Sequence, residues 1–168
     1  MRGKKVVTTQ PDTARPCPDD KVNRVFAASR PNQLWVSAFT FVSTWQGTIY
    51  VAFVIDVFAR KIVGWRVSTS MTTALVLDAL NQAGIDTSVG SVGDSYDNAL
   101  AESVIGLFKA EVINLLGPWK SMAQVEWQTL TWVHWFNAKR LHSAIGYVTP
   151  NQAEDYFYAS LDNTNKAA

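Results

Sequence analysis

With 168 residues and 48% hydrophobic side chains, the chain has material for one domain with a real core and too little for several. Its 15 basic and 14 acidic residues leave a net charge of +1, which neither demands nor excludes a nucleic-acid partner. The single cysteine, Cys17, excludes an intramolecular disulfide. The longest apolar run, residues 49–55, is too short to span a bilayer, and the basic first ten residues lack the apolar stretch of a signal peptide, so a soluble, cytoplasmic protein with no membrane partner is expected.

Residues 1–30 are interrupted by Pro11, Pro16 and Pro18, with Pro31 closing them, and read as an arm or linker, extended or disordered. Residues 34–42 are apolar, aromatic and β-branched, which predicts a strand. Gln46-Gly47 marks a turn. Residues 48–56 predict a second strand, buried on both faces, and residues 61–68 a third, after a short turn at residues 58–60. Tight turns between three such runs imply an antiparallel meander. From Ser70 the period changes: Leu75, Val76, Ala79 and Leu80 share one helical face, with Ser70 or Thr72 as a cap and Gly84 as the stop. Residues 85–89 are a short strand candidate. A helix is expected from about Tyr96 to Leu115, carrying Leu100, Val104, Leu107 and Phe108 on its apolar stripe and ending at Gly117-Pro118. Ser121 with Gln124 resembles a capping box, opening a helix to about Lys139 with Val125, Trp132 and Phe136 on one side. One more helical turn is expected near residues 154–158, and residues 161–168 read as a tail. The order β-β-β-α-β-α-α points to an α/β fold with a mixed sheet.

Three blocks then carry a resemblance. The first is Pro31-Asn32-Gln33-Leu34-Trp35-Val36, followed by Val54-Ile55-Asp56-Val57-Phe58-Ala59-Arg60 and Ile62-Val63-Gly64-Trp65. The second is Gly93-Asp94-Ser95-Tyr96-Asp97-Asn98-Ala99-Leu100-Ala101-Glu102-Ser103, continuing to Lys109. The third is Trp135-Phe136-Asn137 with Arg140, Leu141, Gly146, Tyr147, Thr149 and Pro150. Together they are similar to the integrase core of the DDE transposases of bacterial insertion sequences (OrfB-type proteins of the retroviral integrase superfamily). The resemblance covers residues 22–158 and implies a core domain over residues 31–160. It implies a ribonuclease-H-like mixed sheet, in which the three-strand antiparallel meander is joined by a parallel strand. The implied chemistry is DNA cleavage and joining by phosphoryl transfer, with Mg²⁺ or Mn²⁺ as cofactor. Two such ions, roughly 3.5–4 Å apart, clamp the attacking and leaving oxygens, so three carboxylates from distant parts of the chain must converge.

Of those three, the resemblance carries over only Glu102, as a catalytic and metal-binding residue. Lys109 lies seven residues on, close to two helical turns, so the two share a face, and Asn98 lies one turn before Glu102 on the same side. The resemblance implies DNA contact for Lys109. Asn98, Lys139 and Arg140 are taken with it as candidate DNA-binding residues, and Arg60 and Lys61 as further cations that could meet phosphates. The plain alternative is a solvated helix face with incidental charge pairing. The first aspartate of the family, in a Trp-Val-x-Asp-x-Thr pattern, is here Ala38, with Trp35, Val36 and Thr40 in register. The second, in a His-Ser-Asp-Arg-Gly pattern, has no counterpart, because Ala83 runs directly into Gly84-Ile85-Asp86. One interior strand and about one helix are therefore expected to be missing at this junction. The strand over residues 85–89 would then slide inward to pair with the first. Asp56, Asp78, Asp94 and Asp97 are expected to be structural, bonding backbone amides or helix starts. His134 and His142 lack metal-ligand spacing. Nothing before Pro31 resembles a helix-turn-helix, so specific recognition of element ends is not expected from these residues. The expected activity is transposition by ancestry. The implied partners are element-end and target DNA, with full-length transposase or a second copy as further candidates. Two carboxylates short, the chain is expected to be inactive. A catalytically dead DNA- or transposase-binding fragment and a decayed reading frame remain as alternatives.

Overall fold

The computed structural model describes residues 27–82 and 99–166. Three strands, β1 (Trp35–Thr44), β2 (Gly47–Asp56) and β3 (Ile62–Ser68), form an antiparallel sheet in the order β1-β2-β3. The expected meander is present. Helix α1 (Thr73–Gln82) follows; then, beyond residues 83–98, come α2 (Ala99–Phe108), a π-helical turn (Lys109–Ile113), α3 (Asn114–Leu116), α4 (Met122–Ala138) and α5 (Pro150–Lys166). The parallel strand expected over residues 85–89 lies outside the described residues, as do Asn98, Asp86, Asp94 and Asp97.

Strand β1 alternates strictly: Val36, Ala38, Thr40 and Val42 point inward, while Ser37, Phe39, Phe41 and Ser43 point out. The turn into β2 is closed by Thr44, whose hydroxyl donates to the Gly47 carbonyl at 2.7 Å and accepts from the Gln46 amide at 3.2 Å. Gly47 takes φ 117°, a conformation that a side chain disfavours. Strand β2 is the central strand, and from Val51 to Asp56 every residue is buried. One face packs against α2 and α4; the other packs against α1 through Leu75 and Ala79.

The main core lies between the sheet and α2–α4. Phe53 meets Phe108 with ring centroids 5.0 Å apart and Trp132 at 5.9 Å; Trp132 in turn lies 5.1 Å from Phe108 and 5.0 Å from Phe136. These ring contacts join β2, α2 and α4 in one cluster, which adds to the burial of their large apolar surfaces. Asn137 fastens the end of α4 to β3: its side chain accepts from the Ile62 amide at 3.0 Å and donates to the Ile62 carbonyl at 2.9 Å.

Three boundaries differ from the expectation. The helix expected over residues 96–115 is, within the described residues, not uniform: α2 closes at Phe108 and gives way to a π turn. The single turn expected near residues 154–158 is a seventeen-residue helix that runs through the residues taken as tail. Its start is a capping box in which the Gln152 amide donates to the Thr149 hydroxyl at 3.2 Å and the Thr149 amide donates to the Gln152 side chain at 3.0 Å. Pro150, in the first helical position, suits the same start. At α4, Ser121 caps the Gln124 amide as expected, but the Gln124 side chain accepts from the amide of Lys120, one residue earlier than a regular box requires.

Candidate functional site

Helix α2 lays Ala101, Val104 and Phe108 on β1 and β2, which leaves Glu102 and Ser103 facing outward. Lys109, at the first position of the π turn, is exposed as well, so Glu102 and Lys109 stand on the solvent side of one helical stretch, as the spacing predicts. Ala38 lies inward on β1, 6% exposed, in the same buried cluster as Ala101 and Val104. The strand that carries Ala38 and the helix that carries Glu102 are thus packed together.

Lys139 is exposed at the end of α4, and Arg140 beside it is engaged: its guanidinium pairs with Glu111 and lies 5.4 Å over the Trp135 ring. Glu111 also accepts from the Trp132 indole N–H at 2.8 Å, so one carboxylate ties the π turn to two points at α4. The π turn places Glu111 there, and neither the turn nor this link has a simple signature in the residue spacing. Lys61, the other cation considered for phosphate, pairs with Glu154 of α5.

Asp56 is structural. It is 2% exposed, and its two oxygens accept from the Asn32 amide at 2.9 Å and the Ala59 amide at 2.8 Å. Both amides belong to the turns that bracket the sheet. Strain is held at both, since Asn32 itself and Arg60, next to Ala59, take φ 60°. His134 is exposed on α4. His142 packs its ring edge-on against Phe136 at 4.6 Å, and its Nε2 is buried without a partner among the described residues. Burial pushes its pKa below the ordinary 6.5; a hydrogen bond to the Phe136 backbone raises it, Arg140 and Arg60 lower it further, and Glu111 raises it.

Among the described residues, no three His, Cys, Asp or Glu side chains come together as a metal site would require. No helix among them is long and apolar enough to cross a membrane.

Comparisons with known proteins place these elements. Residues 28–88 match one integrase core domain family and residues 83–150 match a second. The chain is 49% identical to the transposase for insertion sequence element IS629 of Shigella sonnei, over all of this chain and 67% of that protein. It is 63% identical to the transposase for IS3411 of Escherichia coli over 49% of this chain and 34% of that protein. It is 31% identical to the transposase for IS904 of Lactococcus lactis over 80% of this chain and 66% of that protein. The Shigella sonnei alignment runs over 199 positions while this chain has 168 residues, so 31 positions of the relative face no residue here. An integrase core implies a ribonuclease-H-like fold, and proteins of this kind generally use a divalent metal and bind DNA. The chain belongs to the insertion-sequence transposases with an integrase core of the retroviral integrase superfamily, and is a DNA transposition protein.

Proposed function

We infer that this chain is a transposase core whose metal site is incomplete, so that it no longer cleaves or joins DNA and acts by binding. The observation that carries this reading is Ala38. It stands at the family's first aspartate position, inward on β1 and beside the helix of Glu102, and a methyl group cannot ligate a cation. The second carboxylate would have come from the interior strand and helix missing between Ala83 and Gly84. The two family matches meet at residues 83–88, which supports that junction, and the 31 unmatched positions of the Shigella sonnei relative support a loss of residues. The residues present therefore do not fit a pair of Mg²⁺ or Mn²⁺ ions, and Glu102 alone offers too few oxygens to hold them. No catalytic step is assigned to it.

Binding is the activity left to such a core. Lys109 and Lys139 are exposed cations, and Arg140 and Asn98 complete the candidate set in sequence. Contacts of this kind neutralise phosphates without reading bases, so affinity should fall steeply with salt. Element ends, target DNA and full-length transposase are the partners that the family makes available.

The test pairs this chain with a chimera carrying Ala38→Asp together with the residues of the Shigella sonnei relative that face none here, inserted between Ala83 and Gly84. Both are incubated with element-end DNA and Mn²⁺. The chimera is expected to nick and join the DNA, and the natural chain to do neither while binding it in a salt-dependent way. Metal-dependent nicking by the natural chain would overturn the reading of an incomplete site.

A further inference from the structure

Glu111 and Arg140 meet where the π turn reaches the end of α4, and the contact is more ordered than an ion pair of this exposure requires. Both oxygens of Glu111 are used: Oε1 accepts from Nη1 of Arg140, and Oε2 accepts from the Trp132 indole N–H at 2.8 Å. The Trp132 bond alone would tie the π turn to α4. Arg140 is held from two further sides. Its guanidinium lies 5.4 Å over the Trp135 ring, and its backbone amide donates to the Trp135 carbonyl at 3.0 Å. Side chains that keep 23% and 30% of their surface gain little stability from pairing, because water screens the charges. What such a hold does supply is direction. A guanidinium is planar and carries further N–H donors besides the one that pairs, so a carboxylate on one edge and a ring against its face fix where the other edge points. Lys139, next in the chain, is exposed, and its amide donates to the same Trp135 carbonyl at 2.8 Å.

We propose that Glu111 is a positioning residue for DNA: it holds Arg140 so that the edge of the guanidinium away from Glu111 receives the oxygens of a backbone phosphate, beside Lys139. This deepens the reading of the chain as a DNA-binding core and rests on it. A guanidinium fork matches two phosphate oxygens at once, and a fork fixed in advance loses less freedom when the bonds form. Lysine would supply charge without that geometry. Because Glu111 is itself negative, charge and positioning predict opposite signs. If its charge were its only effect, a carboxylate close to the phosphates would repel them, and its removal would tighten binding. If it positions Arg140, its removal weakens binding although the chain becomes more positive.

Fluorescence anisotropy of a labelled mixed-sequence DNA duplex, titrated with the full chain over a series of salt concentrations, tests it. Glu111→Gln removes the charge and keeps an oxygen for the Trp132 N–H. It is expected to weaken binding about tenfold and to lower the slope of log affinity against log salt by about one, as Arg140→Ala should. The double variant should bind no more weakly than Arg140→Ala alone, because Glu111 acts through Arg140. Arg140→Lys keeps a cation opposite Glu111 but loses the planar fork, and should bind about fivefold more weakly; it tests the proposal whether or not Glu111→Gln folds, which circular dichroism reports. Tighter or unchanged binding by a folded Glu111→Gln variant would overturn the proposal, as would full affinity in Arg140→Lys. Failure of the unaltered chain to bind the duplex at low salt would instead overturn the DNA-binding reading itself, and this inference with it, so the two failures are told apart.

Discussion

At the scale of single residues, two positions show how a carboxylate is tolerated in this core. Asp56 is buried with both oxygens accepting backbone N–H groups, so its charge is met by donors that the turns hold in place. Asp56→Ala should cost roughly 3 kcal/mol in urea unfolding, as two buried amides lose their acceptor, and Asp56→Asn should cost less because one acceptor survives. A loss below about 0.5 kcal/mol would show that the turns hold themselves. Ala38 is the opposite case: it too is inward, but it is a member of the buried hydrophobic cluster. Ala38→Asp alone should destabilise the fold by roughly 3 kcal/mol, since a carboxylate would be buried with no donor or metal to meet it. Equal or higher stability, measured in the same urea titration with Mn²⁺ present, would mean that oxygen ligands still converge there.

At the scale of elements, the strands and the long α4 are dictated directly by the residues. Alternation in β1 and a continuous apolar run in β2 name both their type and their burial, and the Gln46-Gly47 turn sets their register. Helix α5 was legible only as one turn near residues 154–158; its body is too polar for an apolar stripe to reveal its length. The π turn was not legible, because an extra residue in a helical ladder leaves the composition unchanged. It does rotate the residues beyond it, and this rotation brings Glu111 to Trp132 and Arg140. The same region gives a pH effect. His142 is held to Val148 by its backbone amide at 3.0 Å, and its ring packs neutral against Phe136. Its pKa lies below 6.5 in the folded chain, so the unfolded chain takes up the proton first as pH falls. Stability contributed by the neutral ring is whole above that value and declines as pH drops through it. Thermal melts between about pH 7.5 and pH 5.5 should therefore show a decline that is shallower in His142→Gln; equal slopes would contradict this.

At the scale of the whole molecule, the candidate site rests on a resemblance, as a pattern of retained and absent residues. Glu102 and Lys109 share an exposed helical face as their spacing implies, and Ala38 is packed against the helix that carries Glu102. Spacing alone could not supply the company these residues keep, such as the pairing of Arg140 with Glu111 and of Lys61 with Glu154, because such pairs join segments far apart in the chain. The central claim is that a transposase core survives here as a folded unit without its metal site. A thermal melt with and without millimolar Mn²⁺ tests it most directly. One cooperative transition at the same temperature is expected in both conditions. An intact site with metal at a hundred times its dissociation constant would add about 2.7 kcal/mol, a rise of roughly 5–10 °C for a domain of this size, and that rise would contradict the account.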